Sequence, residues 1–267
     1  MEIFGQKEKP VNKSKKVIYT ALTGDYDNLR QPESVCPDCD YICFSNDIVH
    51  QRIGVWEIRR FDYHNSSKVR ESRFPKLNPH LLLPEYTYSL YVDCKIVLRA
   101  SLNDRFVDLA KQDIPLAMIP HPDRDCVYQE AMILTAWNVG EPGLVFHQTK
   151  ELLKNHFPQN YGLYDNAVMY RKHNMQSIIN FSETWWKLYC QYSSRDQMSG
   201  VYALFLNDLK PEILFPAFSW QDNVAAHKKK RKTIGELSFR ENLLRYFAVF
   251  RLKCLYWRYH INLSVKN

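Results

Sequence analysis

Glycine is scarce, with only 8 in 267 residues. The shortage shows first in the motifs that are missing. The opening apolar run, Val17 to Leu22, is not followed by GxGxxG, so the dinucleotide fingerprint is absent, and no GxxxxGK[ST] makes a P-loop. There is no GxSxG nucleophile elbow and no HExxH zinc motif. No stretch offers 18 uncharged apolar residues, so no membrane-spanning helix is expected. The segment MEIFGQKEKPVNKSKKVIY holds no apolar run of signal-peptide length. Seven cysteines is an odd number for a secreted disulfide framework, and the expectation is a cytoplasmic chain with reduced thiols. Cys36 and Cys39 form a lone CxxC with only Cys43 nearby, short of the four ligands of a structural zinc. The pair reads as a turn with two buried thiols.

Aromatic residues are plentiful at 14%, and 45% of the chain is hydrophobic. That suits one large domain, with or without an appendage, and rings suited to flat stacking surfaces. The net charge of +7 is unevenly placed. Residues 227–267 hold eleven Lys/Arg against Glu236 and Glu241, a net +9, which leaves −2 for the rest. An anionic partner is therefore expected for the tail alone.

Three regions follow from the composition. Residues 1–16 are a polar arm, 17–222 the main domain, and 223–267 a basic, aromatic helical extension. Compact apolar runs at 17–22, 41–44, 55–58, 88–92, 96–98, 114–119 and 165–170 read as strands. Residues 102–111, 125–138, 149–156, 178–191 and 195–206 read as helices. Residues 66–83 start helical and are broken by Pro75 and Pro79. The alternation implies an α/β fold with a largely parallel central sheet.

In such sheets ligands bind beyond the carboxyl ends of the strands. Polar clusters sit there at 23–28, 45–47 and 93–95. Asp93 is either a strand-end cap or a ligand to a metal diphosphate. Lys95, two residues on, is placed to neutralise phosphate charge. The segment HPDRDCVYQE is dense in titratable groups: His121 and Arg124 would grip an anion, and Glu130 would act as acid or base, unless the segment is only a helix start capped by Asp123 or Asp125. Asp196 is either a helix-dipole partner or a carboxylate aimed at a substrate hydroxyl.

The order of TALTGDYDNL, DYICFSND, KVRESRFPKLNPHLLLPEYTYSLYVDCKIVL, HPDRDCVYQEA and SRDQMSGVYAL resembles a glycosyltransferase-like family of the GT-A type. Its members include plant proteins linked to mucilage polysaccharide and bacterial surface-polysaccharide proteins. The resemblance covers residues 17–206. A looser similarity runs to glycosyltransferase family 8, where an Asp-Tyr turn holds the base, a Lys precedes a leucine-proline stretch, and Asp-x-Asp binds metal.

The resemblance implies a GT-A-like sheet and hexosyl transfer from a nucleoside diphosphate sugar, UDP-sugar first, to a glycan or lipid-linked acceptor. It places Thr23, Asp25 and Tyr26 at the base. Arg70 or Arg73, with Lys76, Asp93, Lys95 and Asn166, would face the donor. Asp196 and Gln197 would face the donor sugar or the acceptor hydroxyl. His121, Arg124 and Arg195 would line the acceptor side or support the donor. Lys95 stands where the family 8 motif has its second acid. Either Asp93, perhaps with His227, still binds manganese or magnesium, or Lys95 replaces the ion. The rival reading is a non-catalytic carbohydrate-binding protein that keeps the fold. A nucleotidyltransferase would usually show a glycine-rich loop after the first strand, where only Gly24 stands.

In the tail, Leu243, Phe247, Phe250, Cys254, Trp257 and Ile261 recur at spacings of three and four and form one helical stripe. That stripe packs on the body or lies on an anionic membrane. The opposite face is also partly apolar, with Leu252, Leu255, Tyr256 and Tyr259. So apolar a tail does not suit a groove-reading arm, and no nucleic-acid partner is expected.

Overall fold

The computed structural model describes residues 15–24, 28–216 and 237–263. Asp25, Tyr26, His227 and the basic run 228–232 lie outside the described residues.

The described strands are β1 (Lys16–Ala21), β2 (Cys39–Phe44), β3 (Arg52–Ile53), β4 (Trp56–Arg59), β5 (Tyr88–Val92), β6 (Leu116–Pro120), β7 (Tyr164–Arg171) and β8 (Glu212–Ile213). The helices are α1 (Lys68–Leu77), α2 (Pro79–Leu82), α3 (Ala100–Lys111), α4 (Val127–Ala136), α5 (Pro142–Lys154), α6 (Gln176–Gln191), α7 (Asp196–Leu206) and, after the tail's basic run, α8 (Phe239–Arg258). The strands form one sheet in the order β3-β4-β2-β1-β5-β7-β6-β8. Six run one way; β3 and β7 run against them. The result is the α/β architecture expected, a mainly parallel mixed sheet flanked by helices.

Strand alternation sorts the side chains into two cores. Val17, Tyr19, Tyr91 and Met118 face the larger one, beneath α1, α4, α6 and α7. Ile18, Leu90, Val92 and Ala117 face the smaller one, closed by Leu102, Phe106 and Leu109 of α3. Among the described residues no helix is long and apolar enough to cross a membrane.

Several sequence expectations are corrected. Ile96 to Leu98 is not a strand. The Ile96 N–H returns to the Asp93 carbonyl (2.8 Å) in a tight turn, and Ile96 and Leu98 bury in the smaller core from there. Pro75 does not break α1 but lies inside it, because Lys76 and Leu77 beyond it are buried against the body. Pro79 opens α2 at its first turn, where its missing N–H is harmless. Helix α5 starts at Pro142, well before residue 149. The N-cap of α4 is Cys126, not an aspartate.

The largest correction concerns the tail. Helix α8 is capped by a Ser238–Glu241 capping box. It docks through the face that looked secondary in sequence. Leu252 and Tyr256 are buried, and the Tyr256 hydroxyl donates to the Tyr128 carbonyl of α4 (2.7 Å). Arg245 donates to the Ala136 carbonyl (3.0 Å). The stripe of Leu243, Phe247, Phe250 and Trp257 consequently faces out.

Candidate functional site

The strand directions decide where polar groups gather. Strands β1, β2 and β5 are parallel and end at one edge of the sheet. Strand β7 is antiparallel to β5, so its beginning arrives at that same edge. A cleft of about 450 Å³ opens there. It is walled by α1, the turn after β5, the start of β7 and the start of α7.

Lys76 is the floor of this cleft and is only 2% exposed. Its Nζ lies 2.6 Å from Asp196 Oδ2, 3.6 Å from Asp93 Oδ1 and 5.0 Å from the centre of the Tyr91 ring. Arg73, one turn earlier on α1, brings Nε to 3.2 Å from the same Asp196 oxygen. Burial by itself would raise the Asp196 carboxyl. The two cations outweigh it and hold the group well below the usual carboxylate range. Asp196 is therefore an anion at neutral pH. Burial first, then Asp93, holds the Tyr91 phenol well above its ordinary value. Tyr91 thus stays protonated and donates to Asp93 Oδ1 at 2.9 Å.

The backbone around this group is pinned from below. Arg171 is fully buried and donates to the Lys76 carbonyl (2.7 Å) and to the Tyr19 hydroxyl. The Trp185 indole donates to the Asp196 carbonyl (3.1 Å) and fixes the first turn of α7.

A β-bulge supplies the next two residues. The β6–β7 register shifts between Met118 and Ile119: Met118 pairs with Met169, but Ile119 pairs with Asp165. The extra residues on β7 turn Asp165 and Asn166 into the cleft wall. Burial raises the Asp165 carboxyl, and Asp93 adds to the rise. Asn166 is 3% exposed, and neither its amide oxygen nor its nitrogen has a hydrogen-bond partner. Buried polar groups are usually paired, so an unpaired amide in a cleft wall marks a ligand contact.

The structure gathers most of the expected donor-side residues. Thr23, Arg73, Lys76, Asp93, Lys95, Asn166, Arg195, Asp196 and Gln197 all line the cleft. Lys95 reaches it through the tight turn rather than by strand alternation. Thr23 donates to the Lys68 carbonyl (2.6 Å), which ties the first turn to α1. Arg70 is not part of the cleft wall. It donates to the carbonyls of Tyr189 and Tyr192, pairs with Glu141 (3.2 Å), and thereby clamps α1 to the end of α6. His121, Arg124 and Glu130 form a separate cluster. Arg124 Nε is 2.7 Å from Glu130 Oε2, and its terminal nitrogen is 3.0 Å from His121 Nε2. Burial and Arg124 lower the His121 pKa, so this imidazole is neutral at pH 7. Glu130 meets the cleft only through Arg195, whose terminal nitrogen is 3.9 Å away. Arg195 also donates to Gln197 (2.7 Å). Gly140, at φ +73°, is what lets this loop close up, since a Cβ there would stand 2.4 Å from Arg195 Cγ.

Sequence reasoning missed Lys68, Ser72, Tyr91 and Asp165 as lining residues. Helical spacing held the signal for two of them. Residues 68, 72, 73 and 76 fall on one side of α1.

A divalent ion, as in Asp-x-Asp transferases, does not fit the described residues. None of their His, Cys, Asp and Glu side chains form a group of three able to hold a metal. The nearest carboxylates, Asp93 and Asp196, share the Lys76 ammonium instead.

Comparison with known proteins agrees with the architecture. Alkaline ceramidase TOD1 of Arabidopsis thaliana is 21% identical over 261 residues, covering 84% of this chain and 56% of that protein. The chain thus spans little more than half the length of this relative. Similar solved structures include the apo WbbM bifunctional glycosyltransferase, at TM-score 0.46 and 12% identity over 92% of this chain and 46% of that one. Mouse xyloside xylosyltransferase 1 in its apo form follows at TM-score 0.42 and 8% identity, over 75% of this chain and 84% of that one. The family model for the TOD1/MUCI70 glycosyltransferase-like domain matches residues 1–230. The chain belongs to the TOD1/MUCI70 glycosyltransferase-like family.

Proposed function

We propose that the cleft moves a glycosyl unit from a nucleoside diphosphate sugar, UDP-sugar first, to a hydroxyl of a glycan or lipid-linked acceptor, in the synthesis of surface polysaccharide. The charge of the cleft carries this reading. Lys68, Arg73, Lys76, Lys95 and Arg195 stand against Asp93, Asp165 and Asp196, and burial pushes Asp165 toward its neutral form. The wall is cationic on balance, as a diphosphate requires.

Glycosyl transfer breaks the bond between the anomeric carbon and the diphosphate oxygen. Negative charge grows on the departing diphosphate, and preorganised cations stabilise it in the transition state. In this proposal Lys95 and Arg195 do that work at the rim, and Lys76 and Arg73 fix the Asp196 carboxylate. Asp196, ionised and oriented, accepts a hydrogen bond from a donor-sugar or acceptor hydroxyl. Asn166 offers its amide to the sugar. Ammonium and guanidinium groups stand where other transferases hold a divalent ion, so activity is expected to survive excess EDTA.

The printed name of the Arabidopsis relative assigns it ceramide hydrolysis. The cationic wall favours a phosphorylated ligand over a neutral lipid amide. The deciding experiment is a thermal-shift screen against UDP-, GDP-, CMP- and dTDP-sugars, with manganese or EDTA, followed by turnover assays. One nucleotide sugar should raise Tm, and Asp93→Ala and Asp196→Ala should abolish its turnover. Binding without turnover would assign a carbohydrate-binding role instead. Ceramide cleavage with no nucleotide-sugar binding would overturn the proposal.

A further inference from the structure

Helix α8 is apolar on two sides, and only one side has a partner. Its inner side is sealed against α4 and α5 by Leu252, Tyr256 and the Arg245 contact. Its outer side presents Leu243, Phe247, Phe250 and Trp257, which are 59%, 60%, 62% and 84% exposed. They run along about 20 Å of one face. Scattered apolar side chains on a surface need no explanation, but a contiguous aromatic stripe does.

The charges around the stripe narrow the choice of occupant. Helix α8 carries Arg240, Arg245, Arg251, Lys253 and Arg258 against Glu241 alone, a net +4. Arg240, Arg251, Lys253 and Arg258 are solvent-exposed beside the stripe. Arg251 stays exposed although its guanidinium lies over the Phe146 ring of α5 (4.4 Å). A second copy docking face to face would press these cations against their own counterparts. Nucleic acid would satisfy the cations and leave the phenyl and indole rings in water. A surface that is anionic outside and apolar just beneath satisfies both.

We propose that the outer face of α8 lies in the headgroup layer of an anionic lipid bilayer, with its rings at the acyl boundary and its cations on lipid phosphates. Binding through this face is independent of whether the cleft turns over. It would also hold the cleft near a lipid-linked acceptor, because α8 packs on α4, the helix that carries Glu130 behind Arg195.

The test is co-sedimentation of the full chain with vesicles of phosphatidylcholine alone and of phosphatidylcholine with about 30% phosphatidylglycerol, at low salt. Binding to the anionic vesicles should exceed that to the neutral ones by at least roughly tenfold, and high salt should weaken it. The Phe250→Glu/Trp257→Glu variant should lose roughly tenfold or more with its melting temperature unchanged, since both side chains are exposed. Arg251→Gln/Arg258→Gln should lose severalfold. A chain that stays in the supernatant with anionic vesicles overturns the proposal. So does binding that survives Phe250→Glu/Trp257→Glu. A dimer that Trp257→Glu dissolves, without vesicle binding, assigns the face to a second copy and also overturns it.

Discussion

Two buried ion-pair clusters lie close together and do different work. Lys76, Arg73, Asp196 and Asp93 come from three separate parts of the chain and open to the cleft. His121, Arg124 and Glu130 come from one short stretch and close on themselves, touching the cleft only through Arg195. Both look alike in sequence, as dense runs of titratable groups. The difference teaches that density of charge does not locate a site. What locates it is which charges still face open space once their partners are in place.

The strongest way to break this comparison is Asp196→Ala. It strands the Lys76 ammonium away from its nearest counter-charge, and loss of one member of a buried pair costs about 3–5 kcal/mol. Glycosyl turnover should fall at least about a hundredfold. The double variant Lys76→Met/Asp196→Leu should regain much of the stability and none of the turnover. Urea unfolding with parallel turnover assays reads both.

Acid titration sharpens the same point. The folded Asp196 carboxyl is held below its unfolded value of about 3.9. Its contribution is fully present above that value and is lost as pH falls beneath it. Melting curves from neutral pH to about pH 2.5 should show a shallower acid loss for Asp196→Asn than for the native chain. Equal slopes would mean that the Lys76 contact is weaker than its 2.6 Å distance implies.

Glu130→Gln probes the closed cluster. It should lower stability by about 1–3 kcal/mol, through the charged bond to Arg124. Turnover should drop only severalfold, mainly through a raised KM as Arg195 loses support. A collapse of kcat equal to that of Asp196→Ala would make Glu130 a catalytic residue and erase the distinction. The smallest effect is expected at Gly140→Ala, where the positive φ and the approach to Arg195 strain the loop by about 1–2 kcal/mol. Donor KM should rise with little change in kcat.

Much of this was legible in the sequence. Apolar runs locate the strands, and the spacing of Lys76, Asp93 and Asp196 among motifs points to one site. Periodicity also separates Arg73 from Arg70 once α1 is known, since they stand about 60° and about 120° from Lys76 around the helix. Other features depend on distant partners. Nothing local to 164–171 says that β7 runs antiparallel or that a bulge will turn Asn166 into the wall. The tail shows the limit most clearly. Two apolar stripes share one helix, and periodicity finds both without ranking them. The Tyr256 hydroxyl meets a carbonyl of α4, and that contact helps decide which side is covered.

The salt link between Lys76 and Asp196 joins residues 120 positions apart. During synthesis Lys76 leaves the ribosome long before its counter-ion exists. Strand β5 must likewise wait for β7, which inserts between it and β6. Such long-range closures slow folding and delay it until most of the chain is present. Stalled or truncated chains would therefore carry no half-formed cleft able to hydrolyse nucleotide sugar wastefully. Competence arrives only with the finished sheet.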